Sequence, residues 1–109
     1  MKKFKVAFNG IKEGIKHQAI LIQVILGFMA VLGGIIIKLN YYEWIAFIIC
    51  IGCVIGSEML NTCIEKICDF IEPNYNDRIK VIKDISSGAV LIFSLMALIV
   101  CIFTVLNRL

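Results

Sequence analysis

Three long apolar stretches, separated by short polar segments, set the pattern of the chain. The first runs from Ala19 to Ile37 and is broken only by Gln23. Its 19 residues approach the roughly 20 that carry a helix across a hydrocarbon core. Lys38-Leu-Asn-Tyr-Tyr-Glu43 reads as a polar turn, and Tyr41, Tyr42 and Trp44 group three aromatic rings as a headgroup belt favours. A second helix is expected from near Trp44, apolar to Gly56 and then polar along one stripe from Ser57 to Ile71, with Pro73 stopping it. The third run, Ile85 to Leu106, has 22 residues and again suffices to span. Ahead of these, Phe4, Phe8, Ile11 and Ile15 recur at helical spacing, so residues 1–18 are predicted to form an interfacial amphipathic helix. The apolar run that follows begins too late, and lacks the small-residue site, for a cleaved secretory signal.

The predicted architecture is an all-α membrane protein of one domain. It has the interfacial helix plus three transmembrane helices (19–37, 44–71 with a cytoplasmic polar extension, and 85–106). Composition strengthens this reading. Of 109 residues, 61% are hydrophobic and 17% charged, and the mean hydropathy is +0.95; soluble domains are about half apolar and a quarter charged. No length remains for a separate water-soluble catalytic domain. Polar groups held in lipid need partners, so the protomer is expected to associate into an oligomeric bundle.

The net charge of +3 matters less than its placement. Lys2, Lys3, Lys5, Lys12 and Lys16 crowd the amino terminus against one acid, Glu13, while Arg78, Lys80 and Lys83 follow the second apolar run. The turn at 38–43 holds only Lys38. The amino terminus and the second loop are therefore expected in the cytoplasm. Lipid headgroups suit this basic segment better than nucleic acid, for which interleaved basic and aromatic residues are missing further on. Cys50, Cys53, Cys63, Cys68 and Cys101 lie in or beside apolar runs, and are read as packing or lipid-facing residues rather than metal ligands or disulfides.

The chemistry concentrates after Gly56. Glu58, Asn61, Glu65 and Asp69 are spaced 3, 4 and 4 apart, which puts them within an arc of roughly 80° on one helix face. Acids beside an apolar run are costly and repel one another, so a divalent cation, a lysine or a shared proton is expected to relieve them. Carboxylates with an amide between them suit magnesium, a hard cation that takes oxygen ligands. The bland reading is a solvated helix end, but Lys66 falls on another face and leaves the stripe acidic. Lys80, Lys83, Asp84, Ser86 and Ser87 form a second polar set, expected at a helix start where free N–H groups favour an anion. Acids for a metal opposite a lysine for phosphate are two halves of a phosphoryl-transfer site. Neither glycine-rich nucleotide motif occurs, and His17, the one histidine, is read as an exposed interfacial residue.

Glu58-Met-Leu-Asn-Thr-Cys-Ile-Glu-Lys-Ile-Cys-Asp69, Pro73-Asn-Tyr75 and Lys80-Val-Ile-Lys-Asp-Ile-Ser-Ser-Gly-Ala-Val-Leu91 together resemble the small prokaryotic diacylglycerol kinase and undecaprenol kinase family. The likeness is specific from about Glu58 to Ile92 and weaker through Phe4–Val24. It implies a multi-pass homotrimer of the bacterial cell membrane that transfers the γ-phosphate of ATP, with magnesium, to a lipid alcohol at the cytoplasmic interface. It further implies Glu58 as general base beside the lipid hydroxyl, Glu65 as metal ligand, and Asn61 and Asp69 as polar support. Asn74, Tyr75 and Asn76 match a nucleotide-contacting stretch, Lys83 and Asp84 a phosphate-contacting pair, and Ser87 a position near the lipid. A second metal-binding glutamate of the family is Gln18 here, which offers an amide oxygen without charge.

Two other classes fit parts of the pattern. A small multidrug-type transporter also has an intramembrane glutamate, but needs four spans and an isolated carboxylate. A catalytically impaired structural paralogue is suggested by Gln18. The acceptor, diacylglycerol or undecaprenol, is not encoded in residue types that line lipid-facing grooves.

Overall fold

The computed structural model describes residues 2–109, which form four helices and no strands among them: α1 (Lys2–Ile15), α2 (Gln18–Ile37), α3 (Tyr41–Ile71) and α4 (Asp77–Arg108). Three of them, α2, α3 and α4, are long and apolar enough to cross a membrane. An α-helical rise of about 1.5 Å per residue makes α2 about 30 Å long, the thickness of a hydrocarbon core. Helices α3 and α4, with 31 and 32 residues, are about half as long again, so each must project beyond that core at one end.

The helix starts differ from the sequence expectation, and caps explain why. Helix α3 begins at Tyr41 because Asn40 accepts a bond from the Glu43 N–H (2.9 Å) while Glu43 accepts one from the Asn40 N–H (3.0 Å). This reciprocal box satisfies two free donors and draws the tyrosines into the first turn. Helix α4 begins at Asp77, eight residues before the apolar run at Ile85, because the Asn76 side chain accepts from the N–H groups of Arg78 and Ile79. Lys80, Lys83, Asp84, Ser86 and Ser87 thus lie inside a helix whose N–H groups are already bonded. The expected anion site built on free N–H groups at that point does not exist.

Helix α3 is the centre of the protomer: α4 packs along one side of it, α2 along another, and α1 meets α2 at the elbow that joins them. Small residues set the closeness of the α2–α3 contact. A Cβ at Gly27 would lie 2.9 Å from Ile51, and one at Gly34 would meet Leu39 at 2.7 Å and the Trp44 ring at 2.9 Å. At the turn between these helices, the Leu39 N–H reaches the Gly34 carbonyl (3.0 Å) and the Lys38 N–H the Ile35 carbonyl (3.3 Å). That closure requires the residue after the helix to be left-handed, a place normally filled by glycine, and here Lys38 takes φ 58°. Lys38→Gly is accordingly expected to stabilise the fold by about 0.5–1 kcal/mol, the relieved strain less the added freedom of the unfolded chain. The thermal unfolding midpoint in detergent checks it. The Arg108 guanidinium closes the same end, bonding the Glu43 carboxylate and the Lys38 carbonyl.

Little of the surface is hidden. The accessible area is 8389 Å², against roughly 6,000 Å² for a compact soluble monomer of this mass. The surplus is apolar: leucines, isoleucines and phenylalanines of α2, α3 and α4 stay exposed, as surfaces facing lipid or a second protomer do. Two hydroxyls within the apolar length bond their own helix, Ser57 donating to the Val54 carbonyl (2.9 Å) and Thr104 to that of Val100 (2.8 Å), which spares them an unpaired polar group in lipid.

Candidate functional site at the polar end of the bundle

Helix α3 begins at the Tyr41 end, so about 20 residues bring it across the hydrocarbon core near Leu60. The antiparallel register fixed by the Lys83–Asp69 and Arg108–Glu43 pairs sets Leu60 level with about Leu91 of α4, and Ser87 level with about Glu65. Glu58 therefore lies at one core boundary, with Ser87 about 10 Å farther out along the axis. Glu65, Asp69 and Lys83 lie beyond it, on the projecting ends.

The acid stripe behaves as the spacing predicts, but each member is relieved differently. Lys83 of α4 donates to Asp69 of α3 at 2.5 Å, and Glu65 lies within electrostatic reach of the same ammonium. Asn61 donates its amide N–H to Glu65 at 2.9 Å, across one helical turn. Glu58 is only 9% exposed, and no side-chain partner for its carboxylate occurs among the described residues; only its backbone carbonyl is engaged, by the Thr62 hydroxyl at 3.0 Å. Asn61 is 7% exposed and its Oδ1 is buried without a partner. A buried acceptor left unpaired is unfavourable, and such an atom in a native fold marks a place where another group enters.

The remaining sequence candidates divide. Lys83 and Asp84 do not form one unit: Asp84 bonds Lys80 of its own helix at 2.6 Å on the exposed side, while Lys83 turns to α3. Asn74 donates its backbone N–H to the Glu72 side chain at 3.1 Å, and Asn76 spends its side-chain oxygen on capping α4, leaving only its amide N–H groups for a ligand. Tyr75 is exposed, and the neighbouring Asp77 carboxylate pushes its phenol above the ordinary range, so it remains a neutral donor. Ser87 is exposed on α4. Gln18 opens α2 with its side chain exposed and shows no bond to the α3 acids among the described residues. His17 is half-buried at the N-cap of α2 rather than exposed, and its ring makes no capping bond.

Two features escaped the sequence. Gly14 of α1 is buried, and a Cβ there would lie 3.3 Å from Cε of Met59. The elbow between α1 and α2 thus rests on α3 beside Glu58. An apolar cleft of about 420 Å³ also runs between α2, α3 and α4, lined in part by Gly27, Ala30, Phe47, Cys50, Val54 and Ala97. Its α3 wall, Phe47, Cys50 and Val54, shares the buried stripe that continues one turn later to Glu58 and Asn61. A linear reading finds the stripe by period, but not a cleft whose other walls come from distant helices.

No cluster of three His, Cys, Asp or Glu side chains able to hold a metal occurs among the described residues. Magnesium does not require one, since it keeps waters and shares its shell with substrate phosphates. The Glu65 carboxylate and the orphaned Asn61 Oδ1 beside it are the hard oxygen donors such an ion takes, so these residues fit it.

The chain matches the model of the family described as prokaryotic diacylglycerol kinase over residues 5–105. It is also 32% identical over 76 residues to a protein of Bacillus subtilis (strain 168) named undecaprenol kinase, a match covering 70% of this chain and 62% of that relative. With the match reaching from α1 through the acid stripe and almost to the end of α4, the chain belongs to the prokaryotic diacylglycerol kinase family.

Proposed function

We propose that this protein is a magnesium-dependent kinase that transfers the γ-phosphate of ATP to the hydroxyl of a membrane lipid alcohol, working at the cytoplasmic face of the membrane. One observation carries the reading: an apolar cleft between the spans leads along a single α3 stripe to two buried polar side chains, Glu58 and Asn61, with a lysine beyond them. A tail in the cleft would bring its hydroxyl to the core boundary, where Glu58 lies. The nucleotide belongs farther out, where α3 and α4 project into water, about 10 Å along the axis at Glu65. The lysine-rich amino terminus and the Arg78, Lys80 and Lys83 group favour the cytoplasm for that end.

The division of labour follows from the protonation chemistry. A lipid alcohol is a far weaker acid than water at neutral pH can ionise, so Glu58 takes its proton while the oxygen attacks phosphorus, not before. Without a side-chain partner among the described residues, the Glu58 carboxylate is open to do so. Lys83 keeps two N–H groups beyond its bond to Asp69 and offsets charge on the phosphates. Magnesium bound at Glu65 and the Asn61 oxygen would neutralise phosphate charge and hold the nucleotide in line. Three helices able to span among the described residues, rather than four, leave the transporter reading without support. The apolar exterior of the protomer suits an oligomer, and a homotrimer is the assembly the family resemblance implies.

Reconstituted protein given labelled ATP, magnesium and either diacylglycerol or undecaprenol tests the reading. Label is expected in the lipid fraction, more of it on undecaprenol, as in the name of the relative 32% identical, and none without magnesium. A lipid fraction unlabelled with both acceptors would leave a structural membrane subunit, the reading Gln18 favours, in its place.

A further inference from the structure

We infer that Asp69 is a positioning residue, whose task is to hold the Lys83 ammonium over the acid stripe so that it meets the nucleotide; this rests on the kinase reading above. The observation is the bond between them, 2.5 Å across the gap between α3 and α4 and fourteen positions apart in sequence. The pair is not placed to stabilise the fold. The Asp69 side chain is 63% exposed and that of Lys83 35%, and ion pairs so open to water contribute little. The α3–α4 contact runs along both helices and does not depend on this pair.

What the bond does fix is direction. A lysine at the edge of a hydrocarbon core extends its long stem toward water wherever it is free to do so. Lys80, one turn earlier, shows the alternative, lying along its own helix against Asp84. Lys83 instead crosses to α3, one turn from Glu65, because Asp69 is there to receive it. One bond occupies one of the three N–H groups and leaves two for phosphate oxygens. The Asp69 carboxylate does not itself touch the substrate in this arrangement. It converts a mobile cation into one held near the place where the phosphates lie, so less freedom is lost when nucleotide binds.

The test uses the full chain in lipid nanodiscs, comparing Asp69→Ala, Asp69→Glu, Lys83→Ala and the double variant Asp69→Ala/Lys83→Ala. Asp69→Ala is expected to raise KM for ATP about tenfold, with KM for the lipid alcohol and the thermal midpoint unchanged. Asp69→Glu, which can still receive the ammonium, is expected to return KM for ATP to within threefold of the unmodified protein. In the Lys83→Ala background, Asp69→Ala is expected to add nothing further, since the two residues act as one. The inference is overturned if Asp69→Ala shifts both KM values alike, if it leaves KM for ATP unchanged, or if its effect persists without Lys83. Unmodified protein that labels neither lipid would instead overturn the kinase reading, and this inference with it.

Discussion

Glu58→Gln is expected to lower ATP-dependent lipid phosphorylation by 10²–10⁴-fold, the range that general-base catalysis contributes, without loosening the protein. The two halves of this expectation have separate causes. Glutamine keeps the length and shape of the side chain but cannot accept a proton from an alcohol, so the attacking oxygen must carry its proton into the transition state. The fold loses nothing, because among the described residues no hydrogen bond to the Glu58 carboxylate is broken and no donor is stranded. Removing a nearly buried negative charge from beside apolar residues even relieves a desolvation cost. The thermal midpoint should stay level or rise while turnover collapses. Measuring both on one preparation separates this from ordinary misfolding, in which the two fall together. Full activity in the Gln variant would remove Glu58 from the chemistry altogether.

The sequence was most informative where one period decides the outcome. The three apolar runs and the amphipathic spacing of Phe4, Phe8, Ile11 and Ile15 each express a single helix facing a single environment, and the structure has a helix at each. The acid stripe was legible for the same reason, since positions 3 and 4 apart must share a face. Helix starts are less legible, because apolarity does not mark them. Asn40 with Glu43, and Asn76 with Asp77, are cap signatures present in the sequence, and they begin α3 and α4 while the chain is still polar.

Partner choice between helices was not legible. Lys83 had two acids within reach, Asp84 next to it in sequence and Asp69 beyond the loop. Adjacent residues on a helix diverge by about 100°, so Asp84 pairs with Lys80 one turn back, and Lys83 takes the acid that the packing of α4 on α3 supplies. Nothing in the linear pattern gives that rotation. The same limit hid the contact of Gly14 with Met59 and the cleft, whose walls meet only after three helices have packed.

Glu65→Gln should raise the magnesium concentration giving half-maximal activity by about 10–100-fold, and Asn61→Leu should do the same with a different signature. Magnesium prefers a charged oxygen, and an amide oxygen in its place offers a weaker dipole. Gln18 makes this substitution telling: on the proposed metal site, the position that the family resemblance aligns with a second metal-binding glutamate is neutral here, so Glu65 would carry most of the negative charge that holds the ion. On the same proposal, Asn61 would act through Glu65 as well as through its own oxygen. Its amide N–H holds one carboxylate oxygen at 2.9 Å, which fixes the direction in which the other is presented, and loss of such an orienting partner costs metal affinity on the 10–100-fold scale. Leucine at position 61 also removes the orphaned Oδ1, a buried acceptor with nothing to accept from among the described residues, so Asn61→Leu is expected to gain thermal stability as it loses magnesium affinity. A polar atom kept unsatisfied in the folded chain is poorly explained by packing; it is explained by a cation or a donor that arrives with the substrate. Titration of activity against magnesium, with the unfolding midpoint recorded on the same variants, decides between these. If Asn61→Leu leaves the magnesium curve in place and lowers the midpoint, then Asn61 is a structural residue and the ion is held elsewhere.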